Sequence, residues 1–142
     1  MNFYSVRDLR TDSKSLWETL RDNGEAVITN NGKPASIVHA VLSRNLTVCY
    51  DYRIVNEYYN VLRRPKFAFS EWEIQSLLGV IISNGISVIA DSLADIPFAD
   101  ETDKKFYEVA KFCNALLIMG NIKHFPTDNC VITVADFYQK YL

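Results

Sequence analysis

The chain has 142 residues, 49% of them hydrophobic and 23% charged, with a formal net charge of −2. Such a composition can bury a real core and excludes a disordered chain. Near-neutral charge excludes bulk nucleic-acid binding, so any such contact must be a local patch. Residues 1–45 carry six Lys/Arg against five Asp/Glu, and residues 46–142 carry nine against twelve. The three cysteines, Cys49, Cys113 and Cys130, are odd in number and widely spaced, and no CxxC pair or His/Cys cluster suggests zinc. Each is expected to be a small buried hydrophobe in a reducing cytosol. No apolar run approaches the ~20 residues needed to span a membrane. The N-terminus has no signal-peptide pattern. The expected location is the cytoplasm.

Ser5-Val6-Arg7-Asp8 reads as a capping box that starts a helix. Leu9, Leu16, Trp17 and Leu20 recur at helical spacing, and Asn23-Gly24 supplies the stop. Residues 26–29 read as a strand, Asn30-Asn31-Gly32-Lys33 as a hairpin turn, and 34–41 as the return strand. Residues 46–50 form a short apolar strand. Asp51 can cap a helix running to about Arg64, stopped by Pro65. Ser70 with Glu73 forms a second capping box. Its helix should place Trp72, Leu77, Leu78, Ile81 and Ile82 inward and end at Asn84-Gly85. A strand is predicted over 86–90, then an acidic loop from Asp91 to Asp103. A helix follows from near Thr102, with Phe106, Val109 and Ala110 on one face. Strands are predicted over 116–119 and 131–133, and Thr133 with Asp136 caps a last helix to Tyr141. From residue 46 onward strands alternate with helices, which means an α/β fold with a parallel sheet covered on both faces. Tyr50, Tyr52, Tyr58 and Tyr59 suit either a dimer interface or core packing.

Three segments carry a family resemblance. They are Ile54-Val55-Asn56-Glu57-Tyr58-Tyr59-Asn60-Val61-Leu62-Arg63-Arg64-Pro65-Lys66-Phe67, Asp100-Glu101-Thr102-Asp103-Lys104-Lys105-Phe106, and Gly120-Asn121-Ile122-Lys123-His124-Phe125-Pro126. Together they resemble the PIN-domain nucleases found as toxins in bacterial toxin–antitoxin pairs. The resemblance implies a parallel sheet flanked by helices, with Mg²⁺ or Mn²⁺ activating a water and stabilising a phosphate. The acids would converge at the carboxyl ends of the strands. Carried over, Glu57, Asp100, Asp103 and Asn121 would be the catalytic set, with Glu57 and Asp103 as metal ligands. Lys123 and His124 would contact the substrate phosphate, and Met119 stands where the family has Thr. The residues alone leave plainer readings open. Acids at a helix start stabilise its dipole. The run Asp91, Asp95, Asp100, Glu101, Asp103 contains no base and suits a solvated loop. His124 alone suits a surface or capping role.

Such a domain should open with a strand ending in an Asp-Thr-Asn-like motif, and this chain has none. One alignment lays 37–45 over the family's first strand and puts the family's Asp on Lys33, a cation where a ligand is needed. A helix or two after that strand would also be missing. The sheet is therefore expected to be an incomplete PIN-like one, and the enzyme at most a metal-dependent ribonuclease with an incomplete carboxylate set.

Ser5-Val6-Arg7-Asp8-Leu9-Arg10 and Gly24-Glu25-Ala26-Val27-Ile28-Thr29-Asn30-Asn31-Gly32-Lys33-Pro34-Ala35 resemble Phd/YefM-type antitoxins. That resemblance implies an N-terminal helix and β-hairpin, dimerisation, and operator DNA held by Arg7, Arg10 and Lys14. These three recur at i, i+3 and i+7 on one helical stripe, although Asp8 and Asp12 between them suit an ordinary solvated face. Two parts are expected: an antitoxin-like segment, 1–43, and a truncated PIN-like domain, 44–142. They merge into one domain if strand 34–41 fills the missing slot.

Three functions compete. The first is a toxin–antitoxin protein with a degenerate PIN body, acting as a homodimeric, DNA-binding regulator. The second is an active Mg²⁺/Mn²⁺-dependent ribonuclease toxin that acts on RNA. The third is a non-catalytic module pairing with an intact PIN toxin or with an antitoxin partner.

Overall fold

A computed structural model describes residues 3–5, 27–29, 40, 41, 43–120 and 122–141. The predicted N-terminal helix with Arg7, Arg10 and Lys14, the turn 30–33 and residues 34–39 lie outside the described residues, as does Asn121. In chain order the elements are β1 (Phe3–Ser5), β2 (Val27–Thr29), β3 (Cys49–Tyr50), α1 (Tyr52–Leu62), α2 (Glu71–Asn84), β4 (Ile86–Ser87), α3 (Lys104–Cys113), β5 (Leu117–Met119), β6 (Val131–Thr133) and α4 (Val134–Tyr141). Short 3₁₀ turns occupy Pro65–Phe67 and Ile122–His124. The strands pair in parallel as β1 with β2, β3 with β4, and β5 with β6. This is the mixed α/β class that the alternating pattern predicts. The chain divides into two compact units, 1–48 with 56–85, and 49–55 with 86–142.

In the first unit, Phe3, Tyr4 and Ser5 lie opposite Val27, Ile28 and Thr29. The predicted strand 26–29 is present, and its described partner is β1. The predicted return strand is not extended at its end, because Ala40 and Val41 are helical. A Schellman-type closure causes this. The Asn45 N–H reaches Ala40 O at 2.8 Å and the Arg44 N–H reaches Val41 O at 3.1 Å. Arg44 takes the left-handed conformation, φ 61°, that this closure requires. An arginine in place of glycine hides that stop from sequence reading.

α1 ends at Leu62, two residues before the predicted Arg64, and Pro65 follows within the connecting turn. α2 starts as its capping box dictates. Ser70 Oγ accepts from the Glu73 N–H at 3.3 Å, and Glu73 Oε2 accepts from the Ser70 N–H at 2.6 Å. Its buried residues are Glu73, Ile74 and Leu78. Trp72 and Ile82, predicted inward, are 61% and 45% exposed. At 3.6 residues per turn Trp72 lies ~160° around the helix from Ile74, and Ile82 ~80°. The inward stripe is therefore narrower than apolar content suggested.

In the second unit, Cys49 and Tyr50 lie opposite Ile86 and Ser87, and the Val88 N–H adds a bond to Tyr50 O at 2.9 Å. The predicted strands 46–50 and 86–90 thus shorten to two residues each. Asp51 caps α1 as predicted, its Oδ1 accepting from the Arg53 and Ile54 N–H groups at 2.9 and 3.2 Å. Tyr50 is buried and Tyr52 exposed, so this part of the tyrosine cluster divides between core and surface. β5 and β6 pair from Leu117–Val131 to Met119–Thr133. The core gathers Tyr107, Ala110, Leu117 and Phe125, flanked by Leu93, Ile96, Phe98, Phe106, Met119, Cys130 and Val131. Phe98 meets Phe125 edge-on at 5.8 Å and Tyr107 at 5.5 Å, geometries that aromatic quadrupoles favour. α3 closes by the same Schellman pattern, with left-handed Asn114 and the Ala115 N–H on Ala110 O at 2.9 Å. Thr133 Oγ1 caps α4 by accepting from the Asp136 N–H at 3.0 Å and donating to Asp136 Oδ2 at 2.7 Å.

The cysteines are half-buried rather than buried. Burial first, and then the neighbouring Cys49 thiol, push the Cys113 thiol up to about 11. Among the described residues no helix is long and apolar enough to cross a membrane.

Candidate functional site

The acids of the second unit divide by what holds them. Asp51 and Glu108 are 2% and 4% exposed. Arg53 joins them. Its Nε and Nη2 donate to Asp51 Oδ2 at 2.9 and 2.7 Å, and its Nη1 donates to Glu108 Oε2 at 2.7 Å. Glu108 Oε1 accepts from the Leu93 N–H at 3.0 Å. Every charge in this network is met by fixed hydrogen bonds, as burial of ions requires. The Asp51 bond raises the Arg53 guanidinium pKa, burial opposes it, and Glu108 adds to it. The network ties the start of α1 and the loop after β4 to the middle of α3. Sequence reading missed Arg53 and Glu108. The available signal was Glu108 itself, a lone acid between the core residues Tyr107 and Val109.

Asp128 has a similar holding role. Its Oδ1 accepts from the Cys130 N–H at 3.0 Å, and its Oδ2 accepts from Tyr107 Oη at 2.7 Å and Lys111 Nζ at 2.9 Å. The Cys130 N–H first, then the Tyr107 and Lys111 bonds, hold its carboxyl well below the usual range. Burial first, and then the Asp128 bond, push the Tyr107 phenol up to about 12. These bonds pin the turn at Asp128–Cys130, just before β6, to α3.

The candidate catalytic acids lie at the other end of α3. Asp100 Oδ1 accepts from Thr102 Oγ1 at 2.6 Å and from the Thr102 N–H at 2.8 Å. Those two bonds, with His124 and Lys105 charges behind them, lower the Asp100 pKa. The helix starts at Lys104, two residues after the predicted Thr102, because the turns Asp103 N–H to Asp100 O and Lys104 N–H to Glu101 O come first. Asp103 stands at the cap position with helical backbone, φ −82° and ψ −19°, and its side chain does not cap. Its carboxylate instead lies 3.6 Å from His124 Nδ1. His124 ends the turn after β5, and buried Phe125 anchors that turn in the core. The structure therefore brings Asp100, Asp103 and His124 together, with exposed Lys123 next along the chain.

Glu57 is half-buried on α1 and belongs to the first unit, whereas Asp100 and Asp103 belong to the second. Among the described residues no three His, Cys, Asp or Glu side chains are grouped so that they could hold a metal ion. Asp103 is engaged by His124 and Asp100 by Thr102. The described residues alone thus do not fit the hard-oxygen cage that Mg²⁺ or Mn²⁺ needs.

The family model of the PIN domain matches residues 24–122. The chain belongs to the PIN-domain family. No curated protein and no solved structure matched at a significant level. The PIN match covers Glu57, Asp100, Asp103 and Asn121, and Lys123 and His124 follow directly after it. It begins at Gly24 and so takes in 24–43, part of the segment expected to stand apart from the PIN-like domain. Between Gly24 and Val48 the one acid is Glu25, so no aspartate stands in the opening part of the match.

Proposed function

We propose that the protein is a toxin–antitoxin component whose PIN body no longer cuts and instead serves a dimerising, DNA-binding regulator. The observation that carries this reading is the engagement of Asp103 by His124 at 3.6 Å. In a working two-metal site the carboxylate would face a cation, and the histidine or lysine would face phosphate. Here carboxylate and imidazole face each other. The opening part of the PIN match also lacks an aspartate, which removes the acid expected at the first strand. Regulation would then rest on the N-terminal segment, with Arg7, Arg10 and Lys14 on operator DNA and the segment pairing two chains. In this reading the protein works in the cytoplasm, and a PIN toxin or an antitoxin is a further partner.

A nuclease assay tests the reading. Full-length protein is incubated with labelled single-stranded and duplex RNA in Mg²⁺ and in Mn²⁺. The expected result is no cleavage above that of an Asp103→Asn, Glu57→Gln double variant. Cleavage abolished by either single substitution supports the second reading, a ribonuclease toxin with an incomplete carboxylate set. The retained grouping of Asp100, Asp103 and His124 is the observation that favours that alternative.

A further inference from the structure

Two thiols of the second unit are neighbours. Cys49 is the first residue of β3, and Cys113 is the last residue of α3. β3 has only two residues, and its Cα atoms approach those of α3 within 8 Å. A disulfide spans Cα atoms up to ~7 Å apart. The Cys49 thiol lies close enough to that of Cys113 to shift its titration. Both backbones are fixed. Cys49 is held in register with Ile86 of β4. The end of α3 is closed by left-handed Asn114, whose N–H reaches Ala110 O and Lys111 O, and by the Ala115 N–H on Ala110 O at 2.9 Å. Both cysteines are free and half-buried, so a small solute from solvent can reach them. Cys130 differs in its neighbour. Burial acts on it first, and then a bond with Asp128, rather than a second thiol.

A lone half-buried cysteine needs no role beyond packing. Two side by side on fixed backbones can be joined with little movement. We propose that Cys49 and Cys113 are a site of oxidation by hydroperoxides, and that the disulfide they form staples the start of β3 to the end of α3. Cys113 is held as the thiol, so Cys49 is the first nucleophile. Its sulfur attacks one peroxide oxygen, the O–O bond breaks, and one water leaves with Cys49 as a sulfenic acid. The Cys113 sulfur then attacks the Cys49 sulfur. The S–S bond forms, the S–O bond breaks, and a second water leaves with the Cys113 proton. The two thiols lose two electrons, and the peroxide takes them. A thiol reductant reverses the step by exchange, so the pair stays reduced in a reducing compartment. The closed loop runs to about 65 residues, long enough to restrain the unfolded chain strongly. The buried network of Asp51, Arg53 and Glu108 already ties the start of α1 to α3. The bridge adds a covalent tie further along the same helix. The site goes beyond the function proposed above and does not depend on whether the PIN body cuts.

Peroxide treatment of the full chain in EDTA tests it, so that metal-catalysed oxidation plays no part. Dilute folded wild type is treated with hydrogen peroxide, quenched with catalase, alkylated with N-ethylmaleimide and mapped by non-reducing peptide mass spectrometry. Free thiols should fall from three to one, with the Cys49 and Cys113 peptides joined and Cys130 alkylated. Dithiothreitol should restore all three. Oxidised wild type should melt ~5 °C or more above the reduced protein. Cys113→Ser should leave a Cys49 sulfenic acid that dimedone traps, whereas Cys49→Ser should give far less adduct at Cys113. Cys130→Ser should still form the bridge. The wild-type map needs no variant, so a substitution that prevents folding does not remove the test. Three free thiols after treatment, a bridge that takes in Cys130, or disulfides only between chains would each overturn the proposal. A bridge with no rise in melting temperature would overturn its role as a staple. Cleavage of RNA once Mg²⁺ is added would contradict the non-cutting reading while leaving the thiol pair intact.

Discussion

The middle and the start of α3 spend their acids differently. At its middle, Glu108 is 4% exposed and shares Arg53 with Asp51, and each oxygen has a fixed donor. At its start, Asp100 and Asp103 lie near the surface and are held by one threonine and one histidine. The first group is structural by its burial, since unpaired charges there would be intolerable. The second group has low burial and few bonds that folding depends on. The contrast separates acids that hold the PIN body together from acids that mark its candidate site.

Breaking the buried side should have the largest effect. Glu108→Ala strands the Arg53 guanidinium and the Leu93 N–H, and should cost about 3 kcal/mol, the low end for a broken buried pair because Arg53 reaches solvent. Urea denaturation followed by circular dichroism measures it, and a cost below ~1 kcal/mol would mean that the network is not structural. Removing both charges together sharpens the point. Arg53→Met with Glu108→Leu should lose less than Glu108→Ala alone, by about 1 kcal/mol or more, since no buried ion is left unpaired. Asp128 extends the comparison to pH. Its carboxyl is held below the ordinary value of ~3.9, so its contribution is present above that pH and lost as pH falls below it. Asp128→Asn should therefore narrow the acid stability gap to wild type as pH falls from about 5 to 2. Tyr107, pushed up to about 12, works on the opposite limb, with a contribution present below its ordinary value of ~10 and lost as pH rises through about 12. Urea midpoints across pH test both. The smallest effect should be that of Asp103→Asn, within about 0.5 kcal/mol of wild type, as befits a surface position. A larger loss would place Asp103 with the structural acids.

The parts of this fold that were legible are those written locally. Ser70 with Glu73, Asp51 before α1, and Thr133 with Asp136 all cap as their spacing implies, because a cap needs only neighbours in sequence. Strand 131–133 was legible from its continuous apolar run. Helix ends at Arg44 and Asn114 were not, since a left-handed arginine or asparagine carries no glycine signal. Trp72 and Ile82 misled for a different reason. Side-chain type suggested an inward face, whereas helical angle decides it. For the site, the segments 54–67, 100–106 and 120–126 suffice to point to the PIN family, whose match takes in the first two whole and the third up to 122. The pairing of Asp103 with His124 joins residues 21 apart and needed the structure. So did Arg53 with Glu108, which are 55 apart.

Calorimetric titration of the full chain with Mg²⁺ and Mn²⁺, alongside Glu57→Gln and Asp103→Asn, tests the central claim most directly. The account predicts no heat beyond dilution at micromolar metal for wild type or either variant, because Asp103 is engaged by His124 and the opening of the PIN match holds no aspartate. Micromolar binding by wild type that disappears in both variants would contradict it.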